Sequence, residues 1–445
     1  MNNELKLNFK TTIYIGFAFF SILMLWQIYN VYGSYFLDLL LESRIPVRTD
    51  RSYIVGIIMA LDNFFALFML PIFGALSDRT KSRFGRRMPY IMFGMLASAI
   101  LFPMIAVVFI LNSLVGVIGM MLLILIIMNI YRNPAIALMP DVTPKPLRSK
   151  ANGFINLIGY VGAILAGGLA LIFGPGAGET INDISTFRLI LPFIIVSGFM
   201  VVALIVLVVK IKENKLVEDV AEDMLIGETY SDTVGVISES EPLSKGDRFN
   251  MIILLISVFL WFAAFNAIET FISIYSEEVL NDFSFSGLIV IVLVMSSIVT
   301  FVPAGYLASY VGRKRSVVIG LGLMIFGLLI SLSINAATAP FLIGIVFAGV
   351  GWAMINVNSY PMMVEMAHKN NVGRYTGYYY ISSMLAQTFT PIVAGLVIMI
   401  GETYEMLFPY SGVLAACAFV VFIFFKEKKN GPREIKTGLD AFDVD

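Results

Sequence analysis

One cysteine (Cys417) and one histidine (His368) among 445 residues exclude a disulfide framework, a thiolate metal cluster and a His-rich metal site. Charge is scarce as well: 14% of the residues are Asp, Glu, Lys or Arg, against about 25% in an ordinary soluble domain. With 58% of the chain apolar, this deficit excludes a soluble globular enzyme and a disordered protein. A formal net charge of −1 leaves no electrostatic footprint for nucleic acid. The polar segments contain no nucleophile–base pair, metal-ligand spacing or phosphate loop, so neither catalysis nor a cofactor is expected.

Long apolar runs take the place of charge. A helix needs about 20 mostly apolar residues to cross roughly 30 Å of hydrocarbon. Twelve such spans are predicted, at 11–36, 53–76, 90–111, 114–138, 150–173 and 187–209, then at 249–275, 285–308, 316–336, 340–363, 374–400 and 406–425. The first is too long for a signal-peptide core and no small-residue cleavage site follows it, so a retained helix is expected. Lys and Arg concentrate on one side, in Arg79, Lys81, Arg83, Arg86 and Arg87 of one loop and Arg313, Lys314 and Arg315 of another. The other side carries Arg44, Arg48, Arg51 and Arg188. That asymmetry predicts a multi-pass protein of the cell membrane with both termini cytoplasmic.

The hydrophilic stretch after span six is acidic, Ser-rich and poor in aromatics, and it reads as a flexible cytoplasmic linker. The expected organisation is a six-helix half over 1–209, the linker over 210–248, a second six-helix half over 249–425 and a cytoplasmic tail over 426–445. The halves echo each other. Trp26 and Asn30 on helix 1 correspond to Trp261 and Asn266 on helix 7, and Asp141 stands as far before Gly153 as Glu365 stands before Gly377. The fold class expected is all-α, with twelve transmembrane helices in two pseudo-symmetric bundles. Repeated halves of this kind mark secondary transporters, with a binding site expected between them.

Polar groups are costly in hydrocarbon, so their distribution reports which helices meet water. Helices 3, 6, 9 and 12 have no charge in their interiors and are expected to face lipid. Helix 1 has Trp26 and Asn30; helix 4 has Asn129, Arg132 and Asn133; helix 7 has Trp261, Asn266 and Glu269; helix 10 has Trp352, Asn356 and Asn358; helix 11 adds Gln387. Spacings of three and four residues put Asn129, Arg132 and Asn133 on one helical face, and likewise Trp352 with Asn356. These residues are the expected substrate-binding set, lining a wet central cavity; the alternative is that single amides merely join helices. Aromatic plates beside amides, an arginine and carboxylates suit a neutral polyhydroxylated solute, since a sugar offers a C–H face for stacking and many hydroxyls for bonding.

Asp62 within helix 2 is a candidate proton carrier, with sugar binding or structural pairing as alternatives. Arg132 is expected to clamp substrate or counterbalance a coupling acid, or else to snorkel to water. Glu269 is either a solvated or gating group or a substrate contact, and Asp38 is expected to be solvated.

The loop from Gly74 through Asp78, Arg79, Arg83, Gly85, Arg86 and Arg87 to Pro89 resembles the signature loop of the major facilitator superfamily. Its spacing and the Arg-Arg-x-Pro-Tyr ending are similar to the glycoside–pentoside–hexuronide:cation symporter branch, and within it to proton-coupled sucrose and maltose carriers. The run from Arg132 to Asp141 and the run from Gly351 to Pro361 resemble that branch's helices 4 and 10. This resemblance implies a sugar carrier embedded in the bilayer, functional as a monomer. In sodium-coupled members helix 2 carries two acids, and the matching positions here are Ala66 and Leu70; protons are therefore expected ahead of sodium. Asp78, Arg79, Arg86, Arg87 and Arg313 are expected to form a cytoplasmic gate, with Asp141 paired to Arg148 and Glu365 paired to Arg374 around the inner mouth, the alternative being topology determinants only. The rivals to a proton-coupled sugar importer are an exporter of drugs or metabolites on the same fold, and a sodium-coupled or uncoupled sugar carrier.

Overall fold

The computed structural model describes residues 5–226, 245–366 and 372–426. Every predicted span is helical, because hydrocarbon offers no water to backbone polar groups and a helix satisfies them within one segment. The long helices are α1 (Phe9–Leu41), α2 (Arg48–Arg79), α3 (Met88–Ile110), α4 (Leu114–Asp141), α5 (Arg148–Phe173), α6 (Thr186–Lys210), α7 (Lys245–Glu278), α8 (Phe285–Val311), α9 (Arg313–Leu332), α10 (Ala339–Val364), α11 (Val372–Gly401) and α12 (Leu407–Ile423). All twelve are long and apolar enough to cross a membrane. Sharp turns separate some of them. Asn112 takes a φ of 53° between α3 and α4, and Ser113 Oγ then accepts from Gly116 N at 3.1 Å to start α4.

The chain forms two compact units. The first consists of Met1–Leu40, Phe64–Gly174 and Thr180–Val236. An aromatic cluster holds α1, α3 and α6 together in it: Phe36 stacks on Phe109 with centroids 3.9 Å apart, and Phe193 meets Tyr32, Phe36 and Phe102 at 5.4, 5.9 and 5.1 Å. Each of these rings removes a large apolar area from contact and adds directional ring packing.

The second unit consists of Leu41–Asn63, Pro175–Glu179 and Ile237–Asp445. Two stretches from the first half of the sequence therefore belong to it, contrary to a clean division near residue 209. The first part of α2 is bound there by close backbone approach. A Cβ on Gly56 would lie 2.1 Å from the Pro391 carbonyl oxygen, and one on Gly395 would lie 2.3 Å from that of Ser52. Ser52 Oγ donates to Gly395 O at 2.6 Å, while Arg48 pairs with Glu277 and with Glu278. The turn after α5 is held by Ser284 N donating to Pro175 O and Gly178 N donating to Asn281 O.

Helices α9 and α10 are joined along glycines. Cβ atoms on Gly351 and Gly327 would lie 2.4 Å from Gly320 O and 2.3 Å from Gly344 O. In lipid there is no hydrophobic drive between helices, so such close approach supplies the packing energy. Gly351→Val is expected to destabilise the protein by about 2 kcal/mol through overpacking. Thermal unfolding of the purified protein measures this, and an unchanged melting temperature would show that the helices part freely.

The helices with the largest buried share of their spans are α1, α4, α7 and α10, at 56, 50, 50 and 56%, against 33–44% for the other eight. These are the four that carry most of the intramembrane polarity. Large exposed apolar side chains occur on α3, α6, α9 and α12, as in Phe93, Ile205, Phe326 and Val420, but also on α2, in Phe64, Phe68 and Ile72. Outward apolar surface is thus not confined to every third helix.

After α6 the chain departs from a flexible linker. A short helix, Glu213–Asp219, follows almost directly, and helix resumes after Val220 to residue 226. Residues 227–244 of the expected linker, His368 and most of the expected tail, 427–445, lie outside the described residues.

Candidate functional site

In the first unit the polar residues of α1 and α4 converge. The Arg132 guanidinium lies over the Trp26 ring, 5.3 Å from its centroid, and Trp26 stacks on Tyr29 at 6.4 Å. A cation over an indole face is attracted by the ring quadrupole. Asn133, one residue on, approaches Gly74 on α2 so closely that a Cβ there would meet its Nδ2 at 2.6 Å. Asn129 is fully buried: its Nδ2 donates to Leu125 O at 2.9 Å, and its Oδ1 has no hydrogen-bond partner among the described residues. Asn30 is buried on α1, and its backbone carbonyl accepts from Ser34 Oγ.

In the second unit α7 and α10 form a matching arrangement. Trp352 stacks on Phe265 with centroids 3.9 Å apart and an interplanar angle of 9°, and Phe262 packs edge-on to it at 5.1 Å. Beside the plate, Asn356 Nδ2 donates to Trp352 O at 2.9 Å, and Asn266 Nδ2 reaches Glu269 Oε2 at 3.5 Å. Glu269 is half-buried, and the Asn266 Oδ1 lies buried with no hydrogen-bond partner among the described residues. Gln387 on α11 donates to Ser383 O at 3.2 Å, within its own helix.

Two residues expected in this cluster stand apart from it. Trp261 is fully buried and packs against Phe422 of α12, at 5.9 Å. Asn358 is fully buried and donates to Ser316 Oγ at 3.0 Å and Met354 O at 2.8 Å, which joins α10 to α9. Helical phase accounts for both: each residue advances about 100°, so Trp261 diverges from Phe262, and Asn358 lies about 200° from Asn356. The sequence echo of Trp26 and Trp261 does not extend to their surroundings, and Phe262 and Phe265 are the plate residues it missed. Any signal for them was the α7 spacing of Phe262, Phe265, Asn266 and Glu269, residues that share one face.

Two carboxylates need separate mention. Asp62 lies on α2, but its side chain is outside the described residues. Asp38 on α1 is fully buried, which reverses the expectation that it is solvated.

At the end of α2 opposite Arg48, the basic loop closes on itself. Arg87, with 6% of its side chain exposed, pairs with Asp78 and with Asp141, the latter at 2.9 Å, while Arg86 reaches the other Asp141 oxygen at 2.7 Å. Arg87 also donates to Ser77 Oγ. Burial alone would favour loss of its proton, but the bonds to Asp141 and Asp78 outweigh this and hold its pKa above the usual guanidinium value. Arg148 donates to Pro140 O and Thr143 O at 2.9 and 3.1 Å, closing the turn between α4 and α5; the cations on Asp141 are thus Arg86 and Arg87 instead of the expected Arg148. In the second unit Arg313 pairs with Glu365 at 2.9 Å, so Glu365 takes Arg313 in place of the expected Arg374. Arg79 and Arg374 are exposed.

Reading the sequence also missed Arg48, Glu277 and Glu278. The two adjacent acids at the end of α7 were visible, but nothing in the chain pointed them at a residue 229 positions away.

A family model described as the Major Facilitator Superfamily matches residues 12–295 and 278–442. Comparison with curated proteins gives no match. Among solved structures, the chain is similar to a peptide transporter of the POT type, with a TM-score of 0.66 at 13% identity, covering 94% of this chain and 93% of that one. It is similar to the nucleoside transporter NupG, with a TM-score of 0.63 at 13% identity over 94% and 100% of the two chains. A bacterial homologue of the iron transporter ferroportin in its inward-facing state gives 0.62 at 12% identity, over 94% and 99%. At these identities the likeness concerns the fold.

Proposed function

Because the chain belongs to the Major Facilitator Superfamily, a family of secondary transporters, we propose that it is a carrier importing a sugar, of the glucoside-type disaccharide class, together with a proton. It is a multi-pass membrane protein and not an enzyme. The observation that carries the sugar reading is the recurrence, once in each unit, of an aromatic plate with an amide one helical turn away: Trp26 beneath Arg132 with Asn30 on the same helix face, and Trp352 on Phe265 with Asn356 on the same helix face. A sugar ring presents an apolar face to a plate of this kind and hydroxyls to amides and charged side chains. In this reading the carrier works as a monomer in the cell membrane with both termini cytoplasmic, by alternating access. Protonation changes the relative stability of its two states.

The proton reading rests on the resemblance and on residue type. Ala66 and Leu70 stand where a sodium-coupled relative has carboxylates, which leaves Asp62 as the acid of α2 within the span. Counterflow with a panel of labelled sugars and organic cations at two pH values, with and without sodium, tests the whole reading. The expected result is exchange of glucosides, faster in the presence of a proton gradient and indifferent to sodium. Exchange of organic cations but no sugar would establish a drug carrier instead. Asp62→Asn is expected to abolish sugar-dependent alkalinisation of the medium while leaving counterflow in place; continued alkalinisation by this variant removes Asp62 from coupling.

A further inference from the structure

The short helix after α6 contributes a densely bonded acid to the basic face. Glu213, in the first turn of its short helix, is 2% exposed although it lies in an acidic, solvent-rich part of the sequence. Its Oε1 accepts from Arg86 N at 2.9 Å and Arg87 N at 3.1 Å, and its Oε2 accepts from Arg87 N and Met88 N, both at 2.9 Å. Asn214 adds Nδ2 contacts to Ser82 O and Arg83 O at 3.2 Å each. Gly85 is shaped to admit the carboxylate: its φ is 109°, and a Cβ there would lie 2.2 Å from Glu213 Oε2.

These donors lead into α3, with Met88 its first residue, Arg87 its N-cap and Arg86 the residue before, at the end where a helix leaves its N–H groups without internal partners. The helix does not cap itself, since its N-cap residue, Arg87, makes no side-chain cap hydrogen bond. A carboxylate at that end is favoured both by the hydrogen bonds and by the helix dipole. The backbone that Glu213 grips is the backbone of Arg86 and Arg87, whose side chains hold Asp141 and Asp78. A cleft of about 450 Å³ lined by Arg86, Asp141, Arg148, Val217 and Met224 lies beside the contact, so the helix after Glu213 borders the same ion pairs.

We propose that Glu213 is a positioning residue: the segment after α6 is a brace that sets Arg87 between Asp78 and Asp141, and the basic-face gate is incomplete without it. This holds whatever the carrier's cargo. In this role the segment is a working part of the first unit and not only a tether between two helices.

Hydrogen–deuterium exchange on the full-length protein tests the grip, and alkylation of a cysteine at Ser77 tests its consequence, because Ser77 is fully buried and bonded to Arg87. In Glu213→Ala the amides of Arg86, Arg87 and Met88 are expected to exchange at least about ten-fold faster, and Ser77→Cys to react with a maleimide about ten-fold faster than in the Glu213 background. Glu213→Gln, which retains one carbonyl acceptor, is expected to fall between the two; it carries the test if the alanine variant does not fold. Unchanged exchange at residues 86–88 overturns the grip. Faster exchange with unchanged Ser77→Cys reactivity reduces Glu213 to a helix cap and overturns the brace.

Discussion

Arg87→Met is expected to abolish uptake and to lower stability by about 3 kcal/mol, the scale for removing one partner of a buried ion pair. Arg87 is 6% exposed and Asp141 is 14% exposed, so both charges are largely out of water. Without Arg87, Asp141 retains Arg86, whose side chain is 42% exposed and which offers a weaker, solvent-screened partner. Asp78 is 55% exposed, so its neutralisation costs little folding stability, and the expected effect of Asp78→Asn is slower transport with substrate binding intact. The corresponding pair of the second unit, Arg313 with Glu365, has side chains 16% and 33% exposed, and Arg313→Met is expected to be the milder lesion. Uptake into proteoliposomes and thermal unfolding, measured on the same preparations, check the series. Normal uptake by Arg87→Met would leave the basic loop as a topology determinant.

The second large effect is expected at Arg132. Its removal in Arg132→Ala takes away a guanidinium poised over Trp26 and, in the proposed sugar carrier, charge-assisted bonds to substrate worth about 1.5–3 kcal/mol, so the sugar concentration for half-maximal uptake is expected to rise roughly ten- to a hundred-fold. Arg132→Lys keeps the charge but loses the planar fork that stacks on an indole and binds two hydroxyls at once, and it is expected to recover only part of the loss. Trp26 supplies an internal reporter: saturating sugar should change its emission in the parent and not in the alanine variant, once Trp261 and Trp352 are replaced by Phe. Wild-type kinetics for Arg132→Ala would mean that the side chain serves only to reach water from the membrane.

Twelve helices, their order and the enrichment of polar residues on α1, α4, α7 and α10 were legible in the residues themselves. The reason is that hydrocarbon makes each exposed polar group costly and each short apolar run unusable, so composition along the chain maps directly onto crossing and burial. Periodicity also put Asn129, Arg132 and Asn133 on one face of α4, and Trp352 with Asn356 on one face of α10, because residues three and four apart share a helical face. Contacts between helices were another matter. That Trp261 packs on Phe422, that Asn358 bonds to Ser316, that the start of α2 is held by Glu277, Glu278 and Gly395, and that Glu213 caps α3 all depend on which faces meet. A glutamate in an acidic stretch looks the same in sequence whether it is solvated or gripped by three backbone amides. Periodicity is a property of one helix, whereas a partner is chosen by rotation, close approach and the unsatisfied donors of another, and those exist only once the chain has packed.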